Sequence, residues 1–203
     1  MTALADLKTR IADEINRTDM TSQIALAITT AVSAYKFKRF AFNESTDTLV
    51  TVAGTAEYTT ATAAPNDLPT DIIDIDTARI TVNTNRYLLE PVTFETIDGY
   101  DVSTTYRSRP VWYAWRAEGL RLYPCPDAAY TIDLRYLASV AEETWATRAE
   151  ALIRTRAKKE LYLHVLFDPG MAAAMQQIEV QEFASLKKEA IYKQSSGRIV
   201  PHD

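Results

Sequence analysis

Apolar residues recur at helical spacing near both ends of the chain. Positions three and four residues apart lie on one face of an α-helix, so this pattern predicts amphipathic helices. Two N-terminal helices are predicted from Leu4, Leu7, Ile11 and Ile15, and from Ile24, Ile28, Ala31 and Tyr35. Two C-terminal helices are predicted from Leu152, Ile153, Ala157, Leu161 and Val165, and, less regularly, from Met171, Met175, Ile178, Phe183, Leu186 and Ala190. Asp168 is placed to cap the last helix, which would begin at Pro169.

Residues 109–136 alternate with a period of two instead, which is typical of β-strands. Three predicted strands carry the apolar face on Val111, Tyr113, Trp115 and Ala117, on Leu120 and Leu122, and on Tyr130, Ile132, Leu134 and Tyr136. Glu118-Gly119 predicts a hairpin turn, because glycine tolerates positive φ. Pro124 and Pro126 end the second strand, because proline cannot donate to a β-ladder. We expect an antiparallel meander with one buried face.

A longer strand is predicted at residues 72–82, where the apolar phase slips by one residue. The apolar positions are Ile73 and Ile75, followed by Ala78, Ile80 and Val82. Because side chains alternate between the two faces of a strand, such a slip predicts a β-bulge or a bend.

The simplest architecture packs the four helices together, because none can bury its apolar stripe alone. We expect an α+β fold: an antiparallel four-helix bundle formed by the N- and C-terminal helices, with an inserted antiparallel β domain. The predicted boundaries are residues 1–47 for the N-terminal helix pair, 48–140 for the β domain, 141–195 for the C-terminal helix pair and 196–203 for an extended C-terminal arm.

Composition narrows the class of protein. A net charge of −5 argues against broad binding to nucleic acid backbones, which favours a basic surface. No apolar run approaches the roughly 20 residues that span a membrane, and the N-terminal residues are too charged for a secretory signal. Cys125 is the one cysteine, so no internal disulfide is expected.

Candidate catalytic and metal-binding residues are few, and we expect no catalytic, metal or cofactor site. The sequence lacks the common zinc, phosphate-loop, dinucleotide and nucleophile-elbow motifs. His164 falls on a predicted helix face, and Cys125 between two prolines reads as a small turn residue. Two acidic pairs, Glu142 with Glu143 and Asp74 with Asp76, resemble glycosidase carboxylates in composition alone. A solvated strand face and the start of a helix explain them more simply.

Aromatic residues concentrate on the predicted hairpin. Trp112, Trp115 and Tyr123 are candidate inter-subunit contacts, since aromatic side chains are enriched at interfaces. A carbohydrate platform is the alternative, but Trp112 and Trp115 fall on opposite faces of one strand. The run from Lys36 to Arg39 alternates basic and aromatic residues. We interpret it as a solvated edge or a contact with an acidic neighbour rather than a DNA-binding site.

The order of these segments resembles the head-to-tail adaptor (connector, or head completion) proteins of tailed bacteriophages. The matching passages are Tyr58 followed by Leu68-Pro69-Thr70-Asp71, then Arg109-Pro110 with Tyr113, and then Leu120-Arg121-Leu122-Tyr123-Pro124-Cys125-Pro126-Asp127. One departure is Arg109, where the family often has glycine before the proline. The resemblance covers roughly residues 5–195.

This resemblance implies a structural virion protein without catalysis, located in the neck between portal and tail and assembled in the host cytoplasm. It implies a dodecameric ring that binds the portal protein, extends the channel for double-stranded DNA without sequence recognition, and carries a tail or nozzle protein, with no membrane contact. The candidate portal-binding residues lie in the C-terminal arm: Arg198, Ile199, Val200, Pro201 and His202. A soluble carbohydrate-binding module and a connector further down the tail remain the alternatives.

Overall fold

A computed structural model describes residues 2–60, 67–100, 105–116 and 119–195. The chain divides into two units, Met1–Asn43 with Val140–Asp203 (the helical unit) and Glu44–Ser139 (the β unit). The helices are α1 (Ala3–Glu14), α2 (Thr21–Tyr35), α3 (Phe94–Tyr100), α4 (Glu142–Arg148), α5 (Glu150–His164) and α6 (Pro169–Ser195). The strands are β1 (Glu44–Val50), β2 (Glu57–Thr59), β3 (Ile72–Val82), β4 (Asn85–Leu88), β5 (Glu90–Pro91), β6 (Trp112–Arg116), β7 (Gly119–Tyr123) and β8 (Thr131–Ala138).

The core of the helical unit is built from the predicted helical spacing. Each of α1, α2 and α5 buries residues of its apolar stripe: Leu7 and Ile11; Ile24, Ile28, Ala31 and Tyr35; Leu152, Ile153, Ala157 and Leu161. Trp145 of α4 is buried among them, and Phe40 and Phe42 pack edge-on against its indole. The Asp168 cap is confirmed: its Oδ1 accepts the backbone N–H of Met171 at 2.9 Å, in the first turn of α6.

The helices do not form the expected four-helix bundle, so that prediction was wrong. Such a bundle needs four long helices that each turn an apolar stripe toward a common axis. Here the seven-residue α4 packs against α1, α2 packs on α5, and α6 packs along α5. Among its described side chains, α6 buries Ala172, Met175 and Ala190, and the carboxylate of Glu179 at its centre. A helix with so sparse an apolar stripe cannot supply a quarter of a shared core.

The described residues of the β unit form two four-stranded sheets, in the orders β1-β8-β3-β4 and β2-β7-β6-β5. Strand β8 is central, because it pairs antiparallel with both β1 and β3. At the start of β1, Glu44 lies opposite Leu137, which is near the end of β8. The β3–β8 register shifts between Ile72 and Asp74 and again between Ile75 and Thr77, which confirms the predicted bulge.

The expected antiparallel meander was correct for one hairpin only. Strands β6 and β7 pair antiparallel as predicted, but β8 pairs in the other sheet. Pro124 and Pro126 follow β7 and cannot donate ladder hydrogen bonds, so the chain leaves that sheet before β8 begins. The β5–β6 pair is parallel, so the expected all-antiparallel β domain was also wrong.

Candidate functional site

Four aromatic rings gather on one face of the β2-β7-β6-β5 sheet, and we call this cluster the aromatic patch. Its members are Tyr100, Tyr106, Trp112 and Tyr123. Trp112 and Tyr123 are cross-strand partners on β6 and β7, with ring centroids 5.5 Å apart and planes 23° apart. Tyr100 is 64% exposed and Tyr106 is 57% exposed. An exposed aromatic cluster of this kind is typical of an interaction surface.

The three aromatic residues that the sequence singled out separate into two environments. Trp112 and Tyr123 lie together in the aromatic patch, whereas Trp115 faces the other way, as its position in the strand predicts. The indole Nε1 of Trp115 donates to the backbone oxygen of Ile73 at 3.3 Å and so joins the two sheets. Trp115 is therefore a structural residue of the β unit by its contacts.

Sequence reasoning missed Tyr100 and Tyr106. Tyr100 ends α3, and its ring lies 5.2 Å from that of Trp112. The sequence of the short helix α3 says nothing of what that helix packs against. The patch is assembled by tertiary contacts rather than by alternation along one strand.

Arg121 connects α3 to the same sheet. Its side chain is only 8% exposed, and its Nη1 donates to Asp98 Oδ1 on α3. Its Nε lies 3.6 Å from Glu57 Oε1 on β2. Arg116, one strand away, approaches Glu95 of α3 at 3.6 Å but is 69% exposed. Because buried charged hydrogen bonds are stronger than solvated ones, Arg121 is the main polar attachment of α3.

A buried ionic cluster lies in the helical unit where α2, α5 and α6 meet. Glu179 Oε1 accepts from the Tyr35 hydroxyl and, at 3.1 Å, from Arg156 Nη1. Glu179 Oε2 accepts from Lys159 Nζ at 2.7 Å. Burial raises the pKa of Glu179, but hydrogen bonds from Lys159, Tyr35 and Arg156 outweigh it and hold that pKa below its ordinary value. Burial, reinforced by the hydrogen bond to Glu179, raises the pKa of Tyr35 well above that of a free tyrosine.

A cavity of about 310 Å³ opens beside the C-terminal half of α6, and we call it the Phe40 cavity. Its walls include Phe40, Phe42, Leu186 and Ala190, and its rim includes the exposed Arg148. The rings of Phe40 and Phe42 stack at 5.5 Å. The exposed Glu189 also lies on the rim, so the rim carries both a cation and a carboxylate.

The acidic residues considered for catalysis make contacts within the fold or face solvent. Glu143 accepts the backbone N–H groups of Ala3 at 2.6 Å and Leu4 at 3.1 Å, and thereby caps α1. Glu142 accepts from Thr29 Oγ1 at 2.7 Å. The exposed Asp74 and Asp76 lie on a solvated strand face, as predicted.

The remaining candidates add no cluster that holds a metal. Cys125 is buried, and His164 is exposed with its Nε2 3.3 Å from Glu160 Oε2. Within the described part of the chain, no three His, Cys, Asp or Glu residues are grouped as a metal site requires. In that same part, no helix combines the length and apolar character of a membrane span.

The sequence-predicted contact segments outside the sheet are only partly described. The candidate portal-binding residues Arg198, Ile199, Val200, Pro201 and His202 lie outside the described residues. In the basic run, Phe37 is exposed, and the backbone oxygen of Arg39 accepts from Lys187 Nζ at 2.8 Å. This run therefore makes a contact within the helical unit.

Comparison with known proteins identifies a family whose model matches most of this chain. The model of the family described as SU10 adaptor protein matches residues 2–200. No curated protein matches the chain. Members of this family are structural adaptors of the phage particle at the junction of head and tail. Because the match covers both the helical unit and the β unit, the chain belongs to the SU10 adaptor protein family, and it is a bacteriophage head–tail adaptor protein.

Proposed function

We propose that this adaptor forms a dodecameric ring that binds the portal protein, extends the DNA channel and provides the attachment platform for a tail or nozzle protein. The observation that supports this most strongly is the family match over residues 2–200, which includes both units. Closed rings of identical subunits are a common solution for symmetric assemblies. In this role the protein needs no cofactor, assembles in the host cytoplasm, and encloses double-stranded DNA without reading its sequence.

The portal contact is assigned to the C-terminal arm. Ile199, Val200 and Pro201 form a short apolar segment between Arg198 and His202. Such a segment offers both apolar burial and charged hydrogen bonds to a partner surface. Replacing residues 196–203 with a Gly/Ser segment of equal length tests this assignment. We expect loss of portal attachment with an unchanged melting temperature, and retained attachment would contradict the assignment.

Neighbouring subunits are proposed to meet at the aromatic patch through Trp112 and Tyr123, with Trp115 supporting the sheet behind them. The chain carries a net charge of −5. We propose that carboxylates line the bore, because like charges repel the DNA backbone and let it slide. A ring with a basic lumen would contradict this part of the proposal.

Negative-stain imaging of the protein mixed with its phage's portal ring tests the function as a whole. We expect an additional collar of density with the symmetry of the ring. A monodisperse monomer that leaves the portal bare would contradict portal binding. That outcome would favour a connector further down the tail, or a carbohydrate-binding module, which a glycan-binding assay would then separate.

The structure adds one argument against the carbohydrate alternative. The Tyr100 ring is tilted by 58° against Trp112 in the aromatic patch. Aromatic residues that stack on a sugar ring present an open face, whereas here the Tyr100 and Trp112 ring centroids lie 5.2 Å apart with their planes tilted. The patch therefore suits contact with side chains of a neighbouring protein better than a flat sugar.

A further inference from the structure

Among the described strands, β1 and β4 are the two edges of the sheet β1-β8-β3-β4. Every residue of β4 is exposed, and so are Thr46, Asp47 and Thr48 in the middle of β1. On β4, Tyr87 is 40% and Leu88 is 59% exposed. The unpaired backbone groups of an open edge are a template for another strand. An exposed edge strand with two large hydrophobic side chains is therefore a candidate docking strand.

The backbone groups of β4 that point away from the sheet follow from its pairing with β3. In an antiparallel pair, successive residues alternate between turning their N–H and C=O groups toward the partner strand and turning them away. Leu89 N donates to Ala78 O at 2.9 Å, so the odd-numbered residues of β4 face β3. Arg86 and Leu88 therefore present their N–H and C=O groups outward.

The same alternation identifies the outward groups of β1. Thr51 N donates to Tyr130 O at 2.9 Å just beyond the strand, so the odd-numbered residues of β1 face β8. Thr46 and Thr48 therefore face outward. In agreement with this, the N–H of Thr48 is accepted not by β8 but by Asp47 Oδ1, at 2.7 Å. A carboxylate thus satisfies one outward N–H of this edge in the free protein.

The two edges fit each other in direction. Each pair of neighbouring strands in this sheet is antiparallel, so with four strands β1 and β4 run in opposite directions. Head-to-tail repetition of the sheet therefore places β4 of one copy antiparallel to β1 of the next. Neighbouring strands of a sheet are normally rotated by about 20–25°, which accommodates the small rotation between adjacent copies of a large ring.

The two edges also differ in the sign of their charge. Strand β1 contains Glu44 and Asp47 and no basic residue, whereas β4 contains Arg86 and no acidic residue. Arg86 already lies 3.5 Å from Asp133 of its own sheet. The guanidinium of Arg109, however, lies 4.5 Å from the centre of the Tyr87 ring on β4, and among the described residues it forms no ion pair. Pairing β4 with β1 brings opposite charges together, whereas two copies of the same edge would bring like charges together.

We propose that β4 of one copy pairs antiparallel with β1 of the next copy, so that their sheets join around the ring. This inference rests on the ring formation proposed above and adds a backbone contact to the aromatic patch, which lies on the other sheet. The two edges are different surfaces of one molecule, and such a heterologous contact closes into a ring when the rotation allows. In strand addition, main-chain hydrogen bonds contribute the affinity and side chains set the register.

One register joins the outward groups of both edges. Leu88 of one copy lies opposite Thr46 of the next, and both are hydrogen-bonding positions. Arg86 then lies opposite Thr48, the next hydrogen-bonding position along each strand. Because partners across a ladder share a face, these four side chains continue the exposed face of the sheet.

Charge selects this register. The residues between the hydrogen-bonding positions, Tyr87 and Asp47, lie opposite each other on the other face of the joined sheet. The Arg109 guanidinium over the Tyr87 ring is then within reach of the Asp47 carboxylate of the next copy. The carboxylate exchanges its contact with Thr48 N–H for this cation, and the backbone oxygen of Arg86 accepts the released N–H.

Charge reversal is the first test, with ring assembly on the portal as the readout. Asp47→Lys places a cation beside Arg109 and should raise the protein concentration needed for ring formation about tenfold or more. Asp67→Lys makes the same change of charge at another exposed aspartate of the β unit and should leave that concentration unchanged. Adding Arg109→Glu to Asp47→Lys should restore assembly. Equal effects of the two lysine variants, or failure of the rescue, would overturn the contact.

Disulfide trapping tests the register independently. The full-length double variant Thr46→Cys with Leu88→Cys places one thiol on each edge, and the native Cys125 is buried. Hydrogen-bonded partners have Cα atoms about 5.5 Å apart, which a disulfide can span. The two edges of one sheet are three strand spacings, roughly 14 Å, apart, so the thiols of one copy cannot join. We expect oxidised rings to yield a ladder of linked chains that neither single variant forms.

Thr48→Cys with Leu88→Cys is the matched control, because in the proposed register these positions are diagonal neighbours about 7–8 Å apart. It should form little or no ladder. An equal or stronger ladder from this control, or dimers from Leu88→Cys alone, would overturn the proposed pairing. Wild-type rings without a ladder from either double variant would overturn the contact while the proposed function stands. Absence of wild-type rings would overturn both.

Discussion

Lys159 Nζ lies 2.7 Å from Glu179 Oε2, and both side chains are buried where α6 packs on α5. Arg156 Nη1 reaches the other carboxylate oxygen at 3.1 Å. These bonds hold the middle of α6 at the point where a bundle helix would carry an apolar residue. The attachment of α6 therefore depends on charge as well as on apolar packing.

Glu179→Gln is expected to destabilise the helical unit by about 3 kcal/mol, because it leaves the buried Lys159 ammonium without its carboxylate. Urea denaturation followed by circular dichroism measures the change. Glu182→Gln, on the same helix and partly exposed, is the matched control and should stay within about 0.5 kcal/mol of wild type. The double variant Lys159→Met with Glu179→Leu should lose less than Glu179→Gln alone, since the buried ammonium is removed together with its carboxylate and Arg156 keeps its pair with Glu160. Equal losses would refute the charge argument.

The free energy of unfolding should also fall at acid pH, because Glu179 becomes protonated. Its pKa is lowered in the folded protein, so the unfolded chain binds this proton more tightly. The stabilisation that ionised Glu179 provides is fully present above the ordinary glutamate pKa of about 4.3. It is lost as the pH falls through the lower pKa of Glu179 in the folded protein. Free energies of unfolding measured between pH 6 and pH 3 should therefore drop more steeply for wild type than for Glu179→Gln. Parallel profiles would show that another carboxylate controls acid stability.

Arg121→Ala is expected to cost about 2 kcal/mol, because it removes a partly buried charged hydrogen bond between β7 and α3. Amide hydrogen exchange in α3 should accelerate in the same variant. Arg116→Ala removes an exposed pair with the same helix and should cost less than about 1 kcal/mol. Equal costs for the two arginines would mean that α3 is held mainly by its apolar contact, the buried Ile97.

Phe167→Asn should stabilise the free protein by about 1 kcal/mol, because asparagine accepts the left-handed backbone of this position more readily than phenylalanine does. Differential scanning calorimetry of the unassembled protein measures the change. Phe37→Asn replaces an exposed phenylalanine that lacks positive φ, and it should change stability by no more than about 0.5 kcal/mol. A destabilised Phe167→Asn variant would show that the phenyl ring supports its own chain.

Trp112 and Trp115 should give opposite results when replaced by alanine. Trp115→Ala should cost about 3 kcal/mol, because it removes a partly buried indole that donates to the backbone oxygen of Ile73 in the other sheet. Trp112→Ala should cost about 1 kcal/mol, through lost stacking on Tyr123, yet impair ring assembly at least tenfold. Chemical denaturation and imaging on the portal separate the two effects. If Trp112→Ala forms normal rings, the aromatic patch does not lie at the subunit interface.

Local sequence patterns predicted the helices and strands better than they predicted which of these elements pack together. The spacing of Leu7 and Ile11, and of Ile24 and Ile28, correctly identified buried helix faces. The phase slip in residues 72–82 correctly identified a bulge. Both features depend on interactions within a segment or on one buried face, and a sequence records these directly.

The sequence does not record in the same way which strand or helix each element packs against. Alternation in β8 is the same whether it pairs with β7 or between β1 and β3, so periodicity could not reveal that it changes sheet. Helix α4 was missed because its seven residues end at Arg148 and α5 begins at Glu150, without a glycine or proline to mark the boundary. The aromatic patch needed α3 to bring Tyr100 onto Trp112, and the cavity needed α6 to bring Leu186 near Phe40.

The pairing of Glu44 with Leu137 has a consequence for how such proteins diversify. Residues 44–139 begin and end on neighbouring antiparallel strands, so the two points where the chain enters and leaves this segment are side by side. Segments whose ends are close together are the ones that tolerate insertion and exchange. Recombination could therefore graft a different β segment onto the same helical scaffold by matching a single pair of adjacent junctions, changing one set of neighbours while conserving the other.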